Sequence, residues 1–125
     1  MDKLVIEGGH PLEGSVEVCG SKNAVLPILA AGLLTDGTLR ITNAPRLSDV
    51  ETMMQVLRDI ECAAERNADG SIELKPGAKL VNTAGWDNVR KMRGSVAVLG
   101  PLLGRTGRAE VSLPGGSYHT NSGWM

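Results

Sequence analysis

The chain has 125 residues, of which 42% are hydrophobic and 22% are charged, and its formal net charge is −1. This composition is typical of one globular domain, and the near-neutral charge gives no overall attraction to nucleic acid or to an anionic membrane. One Tyr, two Trp and no Phe cannot supply a base-stacking platform, so we expect no nucleic-acid partner.

The first part of the chain predicts a strand pair, a helix and a third strand. Alternation in KLVIEGGHPLEGSVEV predicts two short paired strands near residues 3–7 and 15–19. Ser21 then stands at an N-cap position before an apolar helix, with Gly37 as its stop signal. The apolar run AVLPILAAGLL is too short to span a bilayer, so we expect no membrane insertion. GTLRITNAP predicts a strand.

The segment LSDVETMMQVLRDI carries the clearest helix signal. Its apolar residues recur at helical spacing, and Ser48 with Glu51 matches a capping box. Asn67, Asp69 and Gly70 then lie between two short apolar runs, which predicts a β-hairpin.

The last part of the chain predicts one more helix and strand. GAKLVNTAG is a weaker strand or a connector, and Asp87 is a candidate cap for a helix through NVRKMRGSVAVLGPLLGR. Gly94, Gly100 and Pro101 are expected to break or kink this helix. RAEVSLP predicts the final strand.

Two segments of the chain are similar to each other. KNAVLPILAAGLLTDGTLRITNAP parallels GSVAVLGPLLGRTGRAEVSLPG, each with an apolar helix, a loop ending in glycine (Gly37 or Gly107) and a strand. The period is about 70 residues. A unit of this size cannot bury both faces of its sheet alone, so we expect the copies to pack together around shared helices.

Cations precede both apolar helices. Lys22 and Asn23 begin the first, where free backbone N–H groups favour anions, and Arg93 precedes the second in a nearly equivalent position. This arrangement predicts a shared site for a doubly charged anion, such as one with a phosphate and a carboxylate. The alternative is that Lys22 and Arg93 are solvated surface charges.

The remaining reactive side chains give weaker signals. Cys19 and Cys62 match no metal or redox spacing, so we expect reduced, buried or half-buried thiols in a cytoplasmic protein. His10 is expected to be solvated. Ser117 and His119, two residues apart without a fixed acid or a nucleophile elbow, are poor candidates for a hydrolase pair.

Four motifs together resemble a known family. VCGSKNAVLPILAAGLL, ITNAPRLSDVETM, VRKMRGS and VSLPGG, in this order, are similar to the UDP-N-acetylglucosamine enolpyruvyl transferases (MurA). The resemblance runs from residue 1 to about Gly116. It implies the α/β (α+β) fold of that family, an inside-out barrel of repeated β-α-β-α-β-β units, which is incomplete in this chain.

The resemblance also implies a domain division and a reaction. Residues 1–20 would form a hairpin that packs with a second domain, and residues 21–125 about one and a half units of the first domain. The 3′-hydroxyl of UDP-N-acetylglucosamine would attack phosphoenolpyruvate, and phosphate would leave, in the first committed step of cytoplasmic peptidoglycan synthesis. The resemblance implies no organic cofactor and no metal.

Site residues carry over by position. Lys22 and Asn23 match the phosphoenolpyruvate-binding pair, and Arg93 matches an arginine that contacts UDP-N-acetylglucosamine. Ser117 stands where the family has a cysteine or aspartate as proton donor. A serine hydroxyl is a much weaker acid than a thiol, so it is a poor replacement.

These departures leave several alternatives. We expect an N-terminal fragment without turnover of its own, because the resemblance places an essential acid in a second domain. The tail after Gly116 is either genuine or the product of a shifted reading frame. Other interpretations are a 3-phosphoshikimate enolpyruvyl transferase, or a non-catalytic fragment that binds an anion or a partner.

Overall fold

The computed structural model describes residues 2–84, 86–89 and 93–112, and the architecture is that of these residues. The α-helices are α1 (Lys22–Ala31), α2 (Ser48–Asp59), α3 (Trp86–Val89) and α4 (Leu99–Thr106). The strands are β1 (Leu39–Ile41), β2 (Cys62–Arg66), β3 (Ile72–Pro76), β4 (Thr83–Ala84) and β5 (Glu110–Val111). Single 3₁₀ segments follow α1 (Gly32–Leu34) and precede α4 (Arg93–Val98).

The first three strands form one antiparallel sheet in the order β1-β3-β2. Ile72 lies opposite Ile41 of β1, and Leu74 lies between Leu39 of β1 and Ala64 of β2. Buried and more exposed residues alternate along β2 and β3, so one face of the sheet is apolar. This confirms the predicted hairpin and the predicted strand before it.

Helices α1 and α2 bury their apolar stripes in a core that also takes in the sheet and the second copy of the repeat. α2 packs against β2, and α1 packs against both α2 and the 3₁₀ segment at 93–98. The largest fully buried side chains are Leu29, Leu33, Met53, Met54, Leu57, Ile60, Ile72, Leu74 and Leu102. The repeats therefore share one core, as the sequence predicts.

Gly32 begins the 3₁₀ turn that follows α1 and lies against the sheet. A Cβ at Gly32 would lie 2.6 Å from Cδ1 of Leu74, so the chain approaches the sheet too closely for a side chain. The helical segment ends at Leu34, so Gly37, predicted as the stop signal after this helix, lies three residues beyond its last residue. In the second copy Gly107 does end α4, with φ of 75° and its N–H donating to the Leu103 carbonyl at 2.8 Å.

The predicted N-terminal strands are wrong. Residues 2–20 form no strand, and their apolar side chains are exposed: Leu4, Val5, Ile6, Leu12, Val16 and Val18. The alternating pattern is present, but a two-stranded hairpin without a partner surface is marginal in water.

The predicted starts and breaks of two helices need correction. Helix α2 begins at Ser48 after the N-cap Leu47, which makes no side-chain cap, and Glu51 binds Arg66 instead of completing a capping box. Gly100 and Pro101 lie in the first turn of α4, directly after the 3₁₀ segment that ends at Val98. Asp87 lies inside α3 and does not precede it.

We expect the hairpin turn to make stability pH-dependent in acid. Asp69 Oδ1 accepts hydrogen bonds from Ser71 Oγ at 2.6 Å and from Ser71 N–H at 2.9 Å. These bonds, with Arg40, lower the pKa of Asp69 from 3.8 to about 2. The folded state then binds fewer protons than the unfolded state, so this stabilisation is present above pH 4 and is lost as the pH falls through about 2.

Urea unfolding at a series of pH values between pH 5 and pH 2 tests this expectation. The midpoint of the unmodified chain should fall more steeply below pH 4 than that of Asp69→Asn. Equal falls in the two proteins would contradict it.

Candidate anion-binding site

The amino ends of α1 and α2 lie side by side and carry opposite charges. Lys22 is the first residue of α1, and the first turn of that helix contains no acidic residue. Asp49 is the second residue of α2, and its Oδ2 lies 2.9 Å from Lys22 Nζ. Both side chains remain partly open to solvent, so the pair is accessible to a dissolved ligand.

The start of α1 is fixed by the side chain of Asn43. Its Oδ1 accepts a hydrogen bond from Gly20 N–H, and its Nδ2 donates to the Val18 carbonyl, both at 3.3 Å. Asn43 adopts a left-handed backbone with φ of 54°, which Asn tolerates better than most residues. Gly20 passes so close that an added Cβ would lie 2.0 Å from the Asn43 carbonyl oxygen.

The start of α2 is fixed by Arg66 at the end of β2. Its side chain is only 10% exposed, and the guanidinium donates to the carbonyls of Ala44 at 3.3 Å, Pro45 at 3.2 Å and Gly70 at 2.9 Å. It also pairs with Glu51 at 3.0 Å. A buried cation needs such partners. The Ala44 and Pro45 carbonyls belong to the loop that leads into α2, so these two bonds tie that loop to the end of β2.

This arrangement suits a phosphate or a carboxylate. The amino end of α1 offers backbone N–H groups beside the Lys22 ammonium, and both attract an anion. Asn23, the next residue of α1, is exposed at the same end. Within the described residues, no three His, Cys, Asp or Glu side chains are grouped so that they could hold a metal ion.

Arg93 is the second cation of the predicted anion site, and the structure describes its backbone but not its side chain. The backbone of Arg93 begins the 3₁₀ segment that packs against α1. The Arg93 side chain lies outside what the structure describes, so its convergence with Lys22 remains a prediction. Ser117 and His119 also lie outside the described residues.

A separate cavity lies at the other end of α2. It has a volume of about 440 Å³ and is lined by Arg58, Glu61, Cys62, Ala63, Lys75, Pro76, Gly77 and Ala78. Arg58 donates from Nε to the Ala64 carbonyl at 2.7 Å, so this cation is engaged with the backbone. The cavity does not include Lys22 or Asp49.

The two cysteines differ in environment. Cys62 is buried as expected, and burial raises the pKa of its thiol to about 11, although a backbone hydrogen bond from Lys75 acts in the opposite direction. The expectation for Cys19 is wrong, because it is exposed in the N-terminal segment that forms no strand. Both are free thiols.

Sequence reasoning missed Asp49, Asn43 and Arg66. A faint signal for Asn43 was available, since Asn tolerates positive φ at a strand end. The pairing of Asp49 with Lys22 joins residues 27 apart, and Arg66 reaches carbonyls 21 and 22 residues away. Contacts over such separations leave no periodic pattern in a single sequence.

Comparison with known structures identifies the class of fold. The chain is similar to the crystal structure of the enolpyruvyl transferase NikO from Streptomyces tendae, with a TM-score of 0.67 and 25% identity. The match covers 80% of this chain and 23% of that one. The fold is therefore that of an enolpyruvyl transferase, and the predicted fold class is confirmed. The described residues form sheets of three and two strands and no closed barrel.

Sequence comparison then gives the family. The profile described as EPSP synthase (3-phosphoshikimate 1-carboxyvinyltransferase) matches residues 6–121, and the chain belongs to this family. Curated relatives named UDP-N-acetylglucosamine 1-carboxyvinyltransferase are 51% identical over 118 residues in Myxococcus xanthus and 52% identical over 116 residues in Desulfovibrio desulfuricans. The predicted resemblance is confirmed.

The chain corresponds to one part of these relatives. Each alignment covers 93% of this chain but 28% of the Myxococcus xanthus protein and 27% of the Desulfovibrio desulfuricans protein. The chain thus spans just over a quarter of the length of the curated relatives it matches. None of the helices in the described ranges is both long enough and apolar enough to cross a membrane.

We expect the two thiols to react at very different rates. Cys62 is buried and has a raised pKa, so little thiolate is available to a reagent at pH 8, whereas Cys19 is exposed. Mass spectrometry after iodoacetamide treatment at pH 8 should show Cys19 alkylated at least about tenfold faster. Equal rates would contradict the burial of Cys62, and addition of urea should abolish the difference.

We expect Gly20→Ala to disturb the start of α1. The new Cβ would meet the Asn43 carbonyl oxygen, which belongs to the backbone and cannot turn aside, so the cost should be about 1–3 kcal/mol of folding free energy. Gly8→Ala is the matched control, because its Cβ meets nothing within 4 Å. Urea denaturation measures both, and equal stabilities of the two variants would contradict the close approach.

Proposed function

We propose that the chain supplies the phosphoenolpyruvate-binding end of a UDP-N-acetylglucosamine enolpyruvyl transferase. The observation that carries this proposal is the position of Lys22 at the open amino end of α1, in a chain about half identical to proteins of that name. Lys22 and Asn23 hold the phosphate and carboxylate of phosphoenolpyruvate. Arg93 contacts the sugar nucleotide next to them.

The reaction is an addition followed by an elimination. The 3′-hydroxyl oxygen of UDP-N-acetylglucosamine bonds to C2 of phosphoenolpyruvate, the hydroxyl proton passes to a base, and C3 gains a proton. The tetrahedral adduct then loses phosphate from C2 and a proton from C3, which restores the enol double bond. Cations beside the phosphate stabilise the charge on the leaving group, and this is the role proposed for Lys22.

Ser117 stands at the position of the family residue that donates the proton to C3. A hydroxyl donates a proton poorly at neutral pH, so Ser117 is a poor substitute for the acid that the addition step needs. We propose that the product serves peptidoglycan synthesis in the cytoplasm, and that the partners are the two small-molecule substrates, without nucleic acid.

Calorimetric titration of the purified chain with phosphoenolpyruvate tests the proposal. Lys22→Ala should weaken binding at least about tenfold, because it removes a charged partner of the phosphate. Lys79→Ala is the matched control, since Lys79 is exposed and lies far along the chain from α1. Equal affinities for the Lys22→Ala variant and the unmodified chain would overturn the assignment.

A second titration separates the two activities found in the family. The curated relatives favour UDP-N-acetylglucosamine as the acceptor, while the family profile is described by 3-phosphoshikimate transfer. We expect UDP-N-acetylglucosamine to bind and shikimate 3-phosphate not to compete with it. Binding of shikimate 3-phosphate alone would favour the other transferase.

A further inference from the structure

Asp49 is the side chain that the structure places against the proposed phosphate-binding cation. Its Oδ2 accepts a hydrogen bond from Lys22 Nζ at 2.9 Å, across the gap between the amino ends of α1 and α2. The side chains of Lys22 and Asp49 are 46% and 34% exposed, respectively. The contact therefore sits at the rim of the candidate site, where a ligand can reach the ammonium group.

The position of Asp49 depends on contacts made by the loop that leads into α2. Arg66 holds the carbonyls of Ala44 and Pro45 and pairs with Glu51 in the first turn of α2. Asn43, at the start of the same loop, holds Gly20 directly before α1. Side-chain hydrogen bonds thus hold the backbone before α1, which carries Lys22, and the backbone before α2, which carries Asp49. The two residues therefore keep their positions relative to each other.

A lysine needs such a partner if it is to hold one orientation. Its four-carbon stem is flexible, and its ammonium group forms hydrogen bonds in any direction. We propose that Asp49 is a positioning residue that orients the Lys22 ammonium toward an anion at the amino end of α1. This inference rests on the proposed function, because it assigns Lys22 to the phosphate or carboxylate of phosphoenolpyruvate.

Stability and ligand affinity respond differently to the loss of Asp49. A half-exposed ion pair contributes little to the free energy of folding, so Asp49→Asn should leave the fold intact. Removing a negative charge near an anion site would by itself strengthen anion binding. A loss of affinity in Asp49→Asn therefore reports the orientation of Lys22 and cannot arise from charge repulsion.

The experiment uses the full chain and two readouts. The first is the NMR order parameter of the Lys22 Cε–H bonds without ligand, which should fall in Asp49→Asn toward the value of exposed Lys79. The second is the affinity for phosphoenolpyruvate, which should fall at least about threefold in Asp49→Asn and return to within about twofold in Asp49→Glu.

Asp36→Asn is the matched control. Asp36 is a carboxylate that pairs with Arg105 Nη2, it is 92% exposed, and it lies beyond the other end of α1. The substitution removes the same charge without touching Lys22, so both readouts should stay at the values of the unmodified chain.

The outcomes separate this inference from the proposed function. If Asp49→Asn binds phosphoenolpyruvate as tightly as the unmodified chain or more tightly, Asp49 has no positioning role. An unchanged Lys22 order parameter in Asp49→Asn leads to the same conclusion. The proposed function is tested separately by Lys22→Ala. If Lys22→Ala binds phosphoenolpyruvate as the unmodified chain does, the proposed function fails. If the unmodified chain does not bind phosphoenolpyruvate, both proposals fail.

Discussion

The mostly buried guanidinium of Arg66 is the interaction on which the candidate site depends. A charge removed from water must be matched by acceptors, and for Arg66 these acceptors are three backbone carbonyls and the Glu51 carboxylate. Two of the carbonyls belong to the loop before α2. Satisfying this one cation therefore fixes where α2 begins, and with it the position of Asp49.

In each copy of the repeat, the segment before the helical part contacts the strand that follows it, but the contact differs between the copies. In the second copy, β4 pairs in parallel with β5, and Glu110 N–H donates to the Asn82 carbonyl at 2.8 Å. In the first copy, Asn43 lies just beyond the end of β1, and its side-chain amide forms hydrogen bonds with the backbone of Val18 and Gly20. An amide side chain offers one acceptor and a donor, as a peptide group does, so it substitutes for a strand contact at this point.

Helix type also differs between the copies. The first runs from α-helix to a 3₁₀ turn that begins at Gly32, where the chain lies against Leu74 of the sheet. The second runs from a 3₁₀ segment to α-helix and ends at Gly107 in a left-handed conformation. The equivalent loops and strands were predictable from the repeat, whereas the difference in helix type was not.

The sequence by itself determined the order of most elements, the hairpin at Asn67–Gly70, the shared core and the family. These follow from local periodicity, turn chemistry and motif spacing, all of which are properties of neighbouring residues. Only the tertiary structure decided that residues 2–20 form no strand, that Glu51 binds Arg66 and does not complete a capping box, and that Asp49 faces Lys22. Each of these depends on contacts between distant residues, or on a partner surface, that one sequence does not encode as a pattern.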